Sequence, residues 1–262
     1  MKLDLNAMEL VRQNNPLIHC ISNIVSARDC ANLVLAVGAR PVMAQEPLEM
    51  QEITAAAKAL VLNLGTPSEE KYAACAVAGN CAQDHEIPIV LDPVGVGASS
   101  YRQGRLFKLL KTVHPNIVRG NLREIQAILR QTKQQGVDSP SEGDLQERIQ
   151  SASELAKSLK TVVLLSGETD VIADGERIAV LHGGDCRMQQ ITGAGCMLSA
   201  LAGVYSAEVP AFEAALTAAA CWNACAAKAG PGGPGSFYVG LMDAAARLTQ
   251  EEVQRSVDCE LF

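Results

Sequence analysis

Two glycines, Gly193 and Gly195, stand directly before an apolar stretch that favours a helix. We call Gly193, Ala194, Gly195 and Cys196 the 193–196 turn. Glycines leave backbone N–H groups uncovered, and the first turn of a helix adds unpaired donors and a positive dipole end, so this turn would stabilise a phosphate. The same field would favour a thiolate at Cys196 and lower its pKa. A tight strand-to-helix connection with a buried structural cysteine is the alternative that a short glycine motif leaves open.

Five polar residues stand near the ends of apolar segments that we expect to be strands: Asn63, Asp92, Arg119, Asn121 and Ser166. We expect these strands at residues 59–62, 87–91, 117–118 and 162–165, separated by helices at 68–84, 122–131 and 145–159. Strands that alternate with helices predict a parallel sheet, whose ligands bind beyond the carboxyl ends of the strands. Asn, Asp and Ser also cap helices and form turns, whereas Arg119 is well suited to phosphate.

Asp92 and Glu124 are the candidate metal ligands. Mg²⁺ typically takes one or two carboxylates, water and phosphate oxygens, so it needs no His or Cys. A carboxylate at a strand end, a second one in the first turn of a helix and the 193–196 turn would together hold Mg²⁺ and a triphosphate for in-line transfer. Favourable charge near a helix N-terminus is the alternative role for Glu124.

The composition restricts the class of protein. The 262-residue chain has a formal net charge of −7, and broad binding of nucleic acid requires clustered Lys and Arg. We therefore expect no nucleic-acid partner, while a small phosphorylated ligand is compatible. Hydrophobic residues make up 48% of the chain and aromatic residues 3%, which favours an α/β core of Ala, Val, Leu and Ile in a helix-covered sheet.

Cysteine usage bears on the compartment. The chain has nine cysteines, an odd number without regular spacing, which fits a reducing cytoplasm better than a disulfide framework. The first residues, Met1-Lys2-Leu3-Asp4, do not open an apolar signal segment. The apolar runs fall short of the roughly 20 residues that span a bilayer. We expect a cytoplasmic protein without membrane association.

Three further segments complete the predicted architecture. Residues 171–180 contain two β-branched arms about Asp174-Gly175 and predict an antiparallel hairpin. Residues 132–144 are polar and predict a surface loop. Residues 230–237 are rich in Gly and Pro and predict a connector to a last helix at 240–248, either a mobile flap or a simple joint. We expect residues 1–262 to form a single domain.

Several motifs resemble those of a known family. They are Pro-Leu-Ile-His-Cys-Ile-Ser-Asn at 16–23, Leu-Asn-Leu-Gly-Thr at 62–66, Asp-Pro-Val-Gly-Val-Gly-Ala at 92–98, Arg-Gly-Asn at 119–121, Thr-Gly-Ala-Gly-Cys at 192–196 and Gly-Pro-Gly-Ser-Phe at 233–237. On these motifs the chain resembles the hydroxyethylthiazole kinase family of the ribokinase-like superfamily, nearly from end to end. The resemblance implies transfer of the ATP γ-phosphate to the primary hydroxyl of 4-methyl-5-(2-hydroxyethyl)thiazole, with Mg²⁺, in thiamine biosynthesis. It also implies a homotrimer with active sites between subunits.

The resemblance implies roles for individual residues. Met43, Asn23 and the backbone at Gly193 would contact the thiazole. Arg119, Ser166 and Asn121 would bind ATP, and Asp92 and Glu124 would serve Mg²⁺. The 193–196 turn would stabilise the transferred phosphate. Most relatives have Thr at the position of Ser166, which keeps the hydroxyl.

Cys196 occupies the position where related sugar and vitamin kinases usually have an aspartate base. A thiol is largely protonated at neutral pH, but phosphoryl transfer has a loose transition state that needs little early deprotonation. We therefore predict that Cys196 assists the reaction without dominating it. The alternatives are a kinase of hydroxymethylpyrimidine or pyridoxal, an ATP-dependent dehydratase of hydrated nicotinamide cofactors, and a non-catalytic nucleotide-binding scaffold. Cys196, where the first rival would have Asp, favours the thiazole enzyme.

Overall fold

The central element of the fold is a mixed β-sheet. The computed structural model describes residues 3–133 and 144–262, and the sheet within them has nine strands: β1 (Leu17–Ile21), β2 (Arg40–Val42), β3 (Ala59–Asn63), β4 (Ile89–Asp92), β5 (Ile117–Asn121), β6 (Val162–Ser166), β7 (Thr169–Ala173), β8 (Ile178–His182) and β9 (Asp258–Leu261). Their order is β2-β1-β3-β4-β5-β6-β7-β8-β9. Neighbours are parallel from β2 to β6 and antiparallel from β6 to β9. The predicted parallel sheet with an antiparallel hairpin is confirmed.

Helices cover both faces of the sheet. In the described residues they are α1 (Ala7–Asn14), α2 (Ala27–Ala36), α3 (Met50–Ala56), α4 (Glu69–Asp84), α5 (Ser100–Leu109), α6 (Leu122–Lys133), α7 (Leu145–Leu159), α8 (Ala194–Ser206), α9 (Ala211–Lys228), α10 (Pro234–Arg247) and α11 (Gln250–Ser256), with 3₁₀ turns at Val96–Ala98 and Cys186–Gln190. One apolar cluster joins the sheet to α1, α2 and α8 to α10, and a second joins it to α3 to α7. Along β3, Val61 belongs to the first cluster, and Leu60 and Leu62 to the second, as the alternation of a strand requires.

Side-chain caps fix the starts of two predicted helices. Ser68 accepts a hydrogen bond from the backbone N–H of Lys71 at the start of α4. Asp144 accepts one from the N–H of Glu147 at the start of α7. Each cap satisfies a helix N–H that has no partner within the helix. Both helices therefore begin within one residue of the predicted positions.

The C-terminal region corrects the prediction. α10 begins at Pro234 rather than at residue 240, because proline fixes φ at a helical value and lacks an N–H where none is needed. The segment 240–248 is not the last helix, since α11 and β9 follow it. Arg187 donates hydrogen bonds to the carbonyls of Gly230, at 2.8 Å, and Gly232, at 3.3 Å. These bonds favour a fixed joint over a mobile flap.

Two expectations concern loops and membranes. The surface loop predicted at 132–144 lies between residues 134 and 143 outside the described residues, and residues 132 and 133 belong to α6. None of the helices in residues 3–133 and 144–262 combines the length and the apolarity needed to cross a bilayer.

Candidate active site

The carboxyl ends of the parallel strands bring the predicted polar residues to one rim. Asn63, Asp92, Asn121 and Ser166 are the last residues of β3, β4, β5 and β6. The register pairs Asn63 with Asp92, and Asn121 with Ser166. Arg119 precedes Asn121 by two residues on β5 and therefore lies on the same face of the sheet. The prediction that these residues share a rim is confirmed.

Both glycines of the 193–196 turn lie close to side chains from other parts of the fold. Gly193 has a φ of +82°, a left-handed conformation that glycine adopts without strain, and a β-carbon there would lie 2.9 Å from Cβ of Ser26. A β-carbon at Gly195 would overlap the guanidinium of Arg119. Helix α8 begins at Ala194, so its unpaired N–H groups lie in this turn. The turn therefore brings helix donors and an arginine into contact, as binding of a phosphate requires.

A cavity of about 600 Å³, the large cavity, lies on one side of the 193–196 turn. Its lining includes Arg119, Asn121 and Ser166, together with Ala194 and Gly195. The volume falls within the roughly 300–1,000 Å³ of small-molecule sites. Arg119 donates a hydrogen bond to the Ser166 hydroxyl, while its buried Nε has no hydrogen-bond partner among the described residues. The residues predicted to bind ATP thus share one cavity with an unsatisfied cationic donor.

Asp92 is a fully buried carboxylate with one satisfied oxygen. Its Oδ2 accepts hydrogen bonds from Asn63 Nδ2, at 2.9 Å, and from Ser199 Oγ, at 2.8 Å. Its buried Oδ1 has no hydrogen-bond partner in the described part of the chain. Burial raises the pKa of Asp92 to about 6. The positive charge of Arg119 opposes this rise, and the negative charge of Glu124 adds to it. A buried oxygen without a donor fits a cation, so Asp92 is suited to hold Mg²⁺.

Glu124 makes hydrogen bonds that explain its position without a metal. Its two carboxylate oxygens accept from the backbone N–H groups of Gly95, at 2.8 Å, and Asn121, at 2.9 Å. The Asn121 side chain in turn accepts from the N–H of Glu124 at 3.0 Å. This reciprocal arrangement caps the start of α6 and holds the turn after β4. Each oxygen keeps a second lone pair, so contact with Mg²⁺ through water stays compatible.

The donor set suits Mg²⁺ better than a transition metal. Across residues 3–133 and 144–262, no group of three or more His, Cys, Asp or Glu side chains is placed to hold a metal ion. A site built on Asp92, with water and phosphate oxygens completing the shell, is the kind of site that Mg²⁺ occupies.

A second cavity of about 360 Å³, the small cavity, contains two of the predicted substrate residues, Asn23 and Met43. Its other lining residues are Ser22, Ile24, Ala27, Gln45, Thr66, Ser68 and Lys71. Gly193 lies beside Ser26 rather than in this lining. The 193–196 turn thus lines the large cavity with Ala194 and Gly195, and it contacts the wall of the small cavity through Cys196 and Asn23.

Asn23 connects the small cavity to residues of the rim and of the 193–196 turn. Its Nδ2 lies 2.8 Å from Ser26 Oγ, 3.0 Å from Asn63 Oδ1 and 3.2 Å from Cys196 Sγ. Asn63 continues this chain of contacts to Asp92. The small cavity is thereby connected through side chains to the thiol and to the buried carboxylate.

The structure corrects the prediction of a thiolate at Cys196. Burial raises the pKa of this thiol, and the neighbouring negative charge of Asp92 raises it further. Hydrogen bonding and Arg119 oppose the shift without reversing it. Burial therefore favours the neutral thiol at Cys196.

His19 is a buried residue whose role sequence reasoning missed. Its Nδ1 lies 3.0 Å from Thr54 Oγ1 and its Nε2 lies 3.0 Å from the carbonyl of Ala44. Burial lowers the pKa of His19, against the hydrogen bond to Ala44, so the neutral ring is favoured. This ring fixes the segment that directly follows Met43.

Asp170 is a second buried carboxylate that the sequence did not single out. It lines the large cavity and accepts hydrogen bonds from the N–H of Gly167 and from Asn223 Nδ2, both at 3.0 Å. Burial raises its pKa, while those hydrogen bonds oppose the shift. Asp170 was overlooked because it lies inside the apolar strand β7. The alternation of side chains along a strand predicts that such a residue faces inward but does not predict that it lines a cavity.

Comparisons with known proteins agree with this geometry. A sequence model of the hydroxyethylthiazole kinase family matches residues 8–251. The chain is 38% identical to a hydroxyethylthiazole kinase of Clostridium beijerinckii over 256 residues, which cover 94% of this chain and 92% of that protein.

Solved structures give the same result at the level of fold. The structure of a hydroxyethylthiazole kinase protein from Pyrococcus horikoshii OT3 superposes with a TM-score of 0.90 and 30% identity, covering 98% of each chain. A pyridoxal kinase from Staphylococcus aureus, in complex with AMP-PCP and pyridoxal, has a TM-score of 0.63 at 15% identity and covers 94% of this chain and 98% of its own. The second likeness shows a shared fold alone.

Proposed function

The chain belongs to the hydroxyethylthiazole kinase family, and on that premise we propose that it transfers the γ-phosphate of ATP to the primary hydroxyl of 4-methyl-5-(2-hydroxyethyl)thiazole. The observation that carries this proposal is that Ala194 and Gly195 line the large cavity, while Cys196 Sγ of the same turn lies 3.2 Å from Asn23 Nδ2 in the wall of the small cavity. A kinase must hold a nucleotide and an alcohol on opposite sides of the transferred group. The reaction would serve thiamine biosynthesis.

The large cavity is the proposed ATP site. Arg119 and Ser166 would bind phosphate oxygens, and Asn121 would line the same wall. The unsatisfied Nε of Arg119 supports this role, because a buried guanidinium donor without an acceptor is costly. The N–H groups of the 193–196 turn would receive the phosphate during transfer.

Asp92 is the proposed principal ligand of Mg²⁺, with Glu124 contributing through water. Its unpartnered Oδ1 supports this assignment. A Mg²⁺ ion bound there would supply positive charge that neutralises the phosphate oxygens. Asn63 and Ser199 hold the other carboxylate oxygen and so fix its direction.

The small cavity is the proposed alcohol site. Met43 and Asn23 would contact the thiazole, and the backbone at Gly193 would close the pocket toward the phosphate. Cys196 would lie beside the hydroxyl as a neutral thiol. A loose transition state needs little deprotonation of the alcohol, so positioning by Asn23 and charge stabilisation by the turn would supply most of the rate.

Exposed apolar side chains near the small cavity support a homotrimer with sites between subunits. Ile24, which lines the small cavity, is 86% exposed. Leu48, which follows Met43 in the loop between β2 and α3, is 92% exposed. We propose that these side chains belong to the surface that a neighbouring subunit covers. Light scattering after size exclusion should give the trimer mass, and Ile24→Lys with Leu48→Glu should lower that mass and the activity together; a monomeric, fully active protein would contradict the trimer.

The remaining expectations concern the chain as a whole. All nine cysteines lie in the described residues and are unpaired there, which supports a reducing compartment such as the cytoplasm. The continuous sheet from β2 to β9 supports a single kinase domain.

Incubation of the purified chain with ATP, Mg²⁺ and each candidate substrate, read by mass spectrometry, tests the function. The phosphorylated thiazole alcohol is the expected product. Phosphorylation of only hydroxymethylpyrimidine or pyridoxal, or ATP-dependent dehydration of a hydrated nicotinamide cofactor, would replace the proposal with that activity. If the chain were a non-catalytic nucleotide-binding scaffold, the wild type would show no turnover and Asp92→Ala could not lower it. In the kinase, Asp92→Ala should abolish turnover and leave nucleotide binding intact.

A further inference from the structure

Lys71 is a buried lysine in the wall of the small cavity that has no part in the chemistry above. It is 6% exposed and stands in the first turn of α4. Its Nζ donates hydrogen bonds to the carbonyl of Gly65, at 2.6 Å, and to the carbonyl of Ser22, at 2.8 Å. Hydrogen bonds from an ammonium are stronger than those between neutral groups.

The two carbonyls belong to different turns of the rim. Ser22 directly follows β1, and Gly65 follows β3 by two residues. The turns pack closely, because a β-carbon at Gly65 would lie 2.9 Å from Cβ of Asn23. The Lys71 ammonium therefore ties the turn that carries Asn23 to the turn that carries Thr66.

The location is costly for a cation unless both acceptors stay in place. Burial lowers the pKa of Lys71 to about 8, against the influence of Cys75, Cys196 and Asp92. The first turn of a helix is also the positive end of its dipole. Because a buried ammonium must keep its acceptors, separation of the two turns is opposed.

We propose that Lys71 is a positioning residue of the alcohol site, which holds Asn23 beside Cys196 by fixing the Ser22 carbonyl to the Gly65 carbonyl. This inference rests on the proposed function of the small cavity. It assigns Lys71 to one substrate only, since the large cavity is built from other elements and does not contain this residue. Loss of the ammonium should then weaken binding of the alcohol and leave binding of ATP intact.

The test uses Lys71→Met, which keeps an unbranched side chain one atom shorter and removes the charge and the donors. The KM for the thiazole alcohol should rise about tenfold, as loss of a charge-assisted hydrogen bond predicts, with the KM for ATP within about twofold of the wild type. Lys111→Met is the matched control, because Lys111 is an exposed lysine outside both cavities. It should leave both constants unchanged.

Lys71→Arg is the second variant, since a guanidinium can donate to two carbonyls from a similar position. It should restore most of the affinity for the alcohol, which a purely structural loss would not allow. If Lys71→Met does not fold, Lys71→Arg decides the question through its ratio of the two KM values. Equal effects on both substrates, or an unchanged KM for the alcohol, would overturn the inference. A wild-type chain that does not phosphorylate the alcohol would instead contradict the proposed function.

Discussion

The side-chain amide of Asn23 lies 3.2 Å from the sulfur of Cys196. This contact joins the turn after β1 to the first turn of α8, and it therefore joins the wall of the small cavity to the 193–196 turn. Asn23 also contacts Asn63, which in turn holds Asp92. Cys196, Asp92 and the wall of the small cavity are thus connected through Asn23 and Asn63, so replacement of one of these residues is expected to affect the others.

Replacement of Cys196 tests whether this residue only assists the reaction or is essential to it. Because the pKa of this thiol is raised, Cys196 is protonated at neutral pH and unavailable as a general base, so we expect Cys196→Ala to lower kcat by no more than about tenfold, less than the ~10²–10⁴-fold that a general base supplies. Cys196→Asp should retain or increase activity. Steady-state kinetics measures both variants, and complete loss of activity in both would contradict the account.

Asp92→Asn should change the pH dependence of stability. The folded pKa of Asp92 is raised to about 6 from 3.8, so the protonated form contributes stability below this range that is lost as the pH rises through 6. The free energy of unfolding of the variant, relative to wild type, should therefore rise by about 1 kcal/mol from pH 5 to 7.5 without Mg²⁺. Denaturant titrations measure it, with Asp258→Asn, an exposed residue of β9, as the control; an equal trend in both variants would refute the assignment.

Gly195→Ala should act through Arg119. A β-carbon would displace the guanidinium from Ser166, so we expect the KM for ATP to rise about tenfold, as expected for loss of a charged hydrogen bond. Gly104→Ala is the matched control, because the space around Gly104 is open, and it should add about 0.5–1 kcal/mol to stability in α5 with unchanged kinetics. Kinetics and thermal melts of both variants check this. An unaltered KM for ATP in Gly195→Ala would show that Arg119 does not bind the nucleotide.

The KM for the alcohol should rise between pH 7 and 9. The pKa of Lys71 is lowered to about 8 by burial, so its ammonium is charged below this pH and loses one N–H donor above it. The other groups that act on it are Cys75, Cys196, Asp92 and Arg102. Burial raises the pKa of both thiols and the pKa of Asp92 is about 6, so these do not ionise in this range. Initial rates across pH should show the rise in wild type and none in Lys71→Met; identical profiles would contradict the role of Lys71.

The residues at the rim could be predicted from the sequence because a polar residue follows each apolar strand. Asn63, Asp92 and Ser166 each follow an apolar run, and parallel strands bring their carboxyl ends together whatever lies between them in the chain. The hairpin about Asp174-Gly175 was equally local. These features depend on short segments and on one topological rule.

The features that escaped prediction depend on contacts across the chain. Lys71 resembles an exposed helix residue until the turns at Ser22 and Gly65 enclose it. The pKa of Cys196 depends on burial and on Asp92, which lies far away in the sequence. A prediction from the helix field alone therefore gave the wrong direction for this pKa. The hydrogen bond from Ser199 to Asp92 depends on how α8 packs against β4, which the sequence does not reveal.

A crystal structure of the chain with the thiazole alcohol, Mg²⁺ and a non-hydrolysable ATP analogue tests the central claim most directly. The account predicts the nucleotide in the large cavity, the alcohol in the small cavity, and the hydroxyl facing the γ-phosphate across the 193–196 turn beside Cys196. A hydroxyl that points away from the γ-phosphate, or both ligands on the same side of the turn, would contradict it.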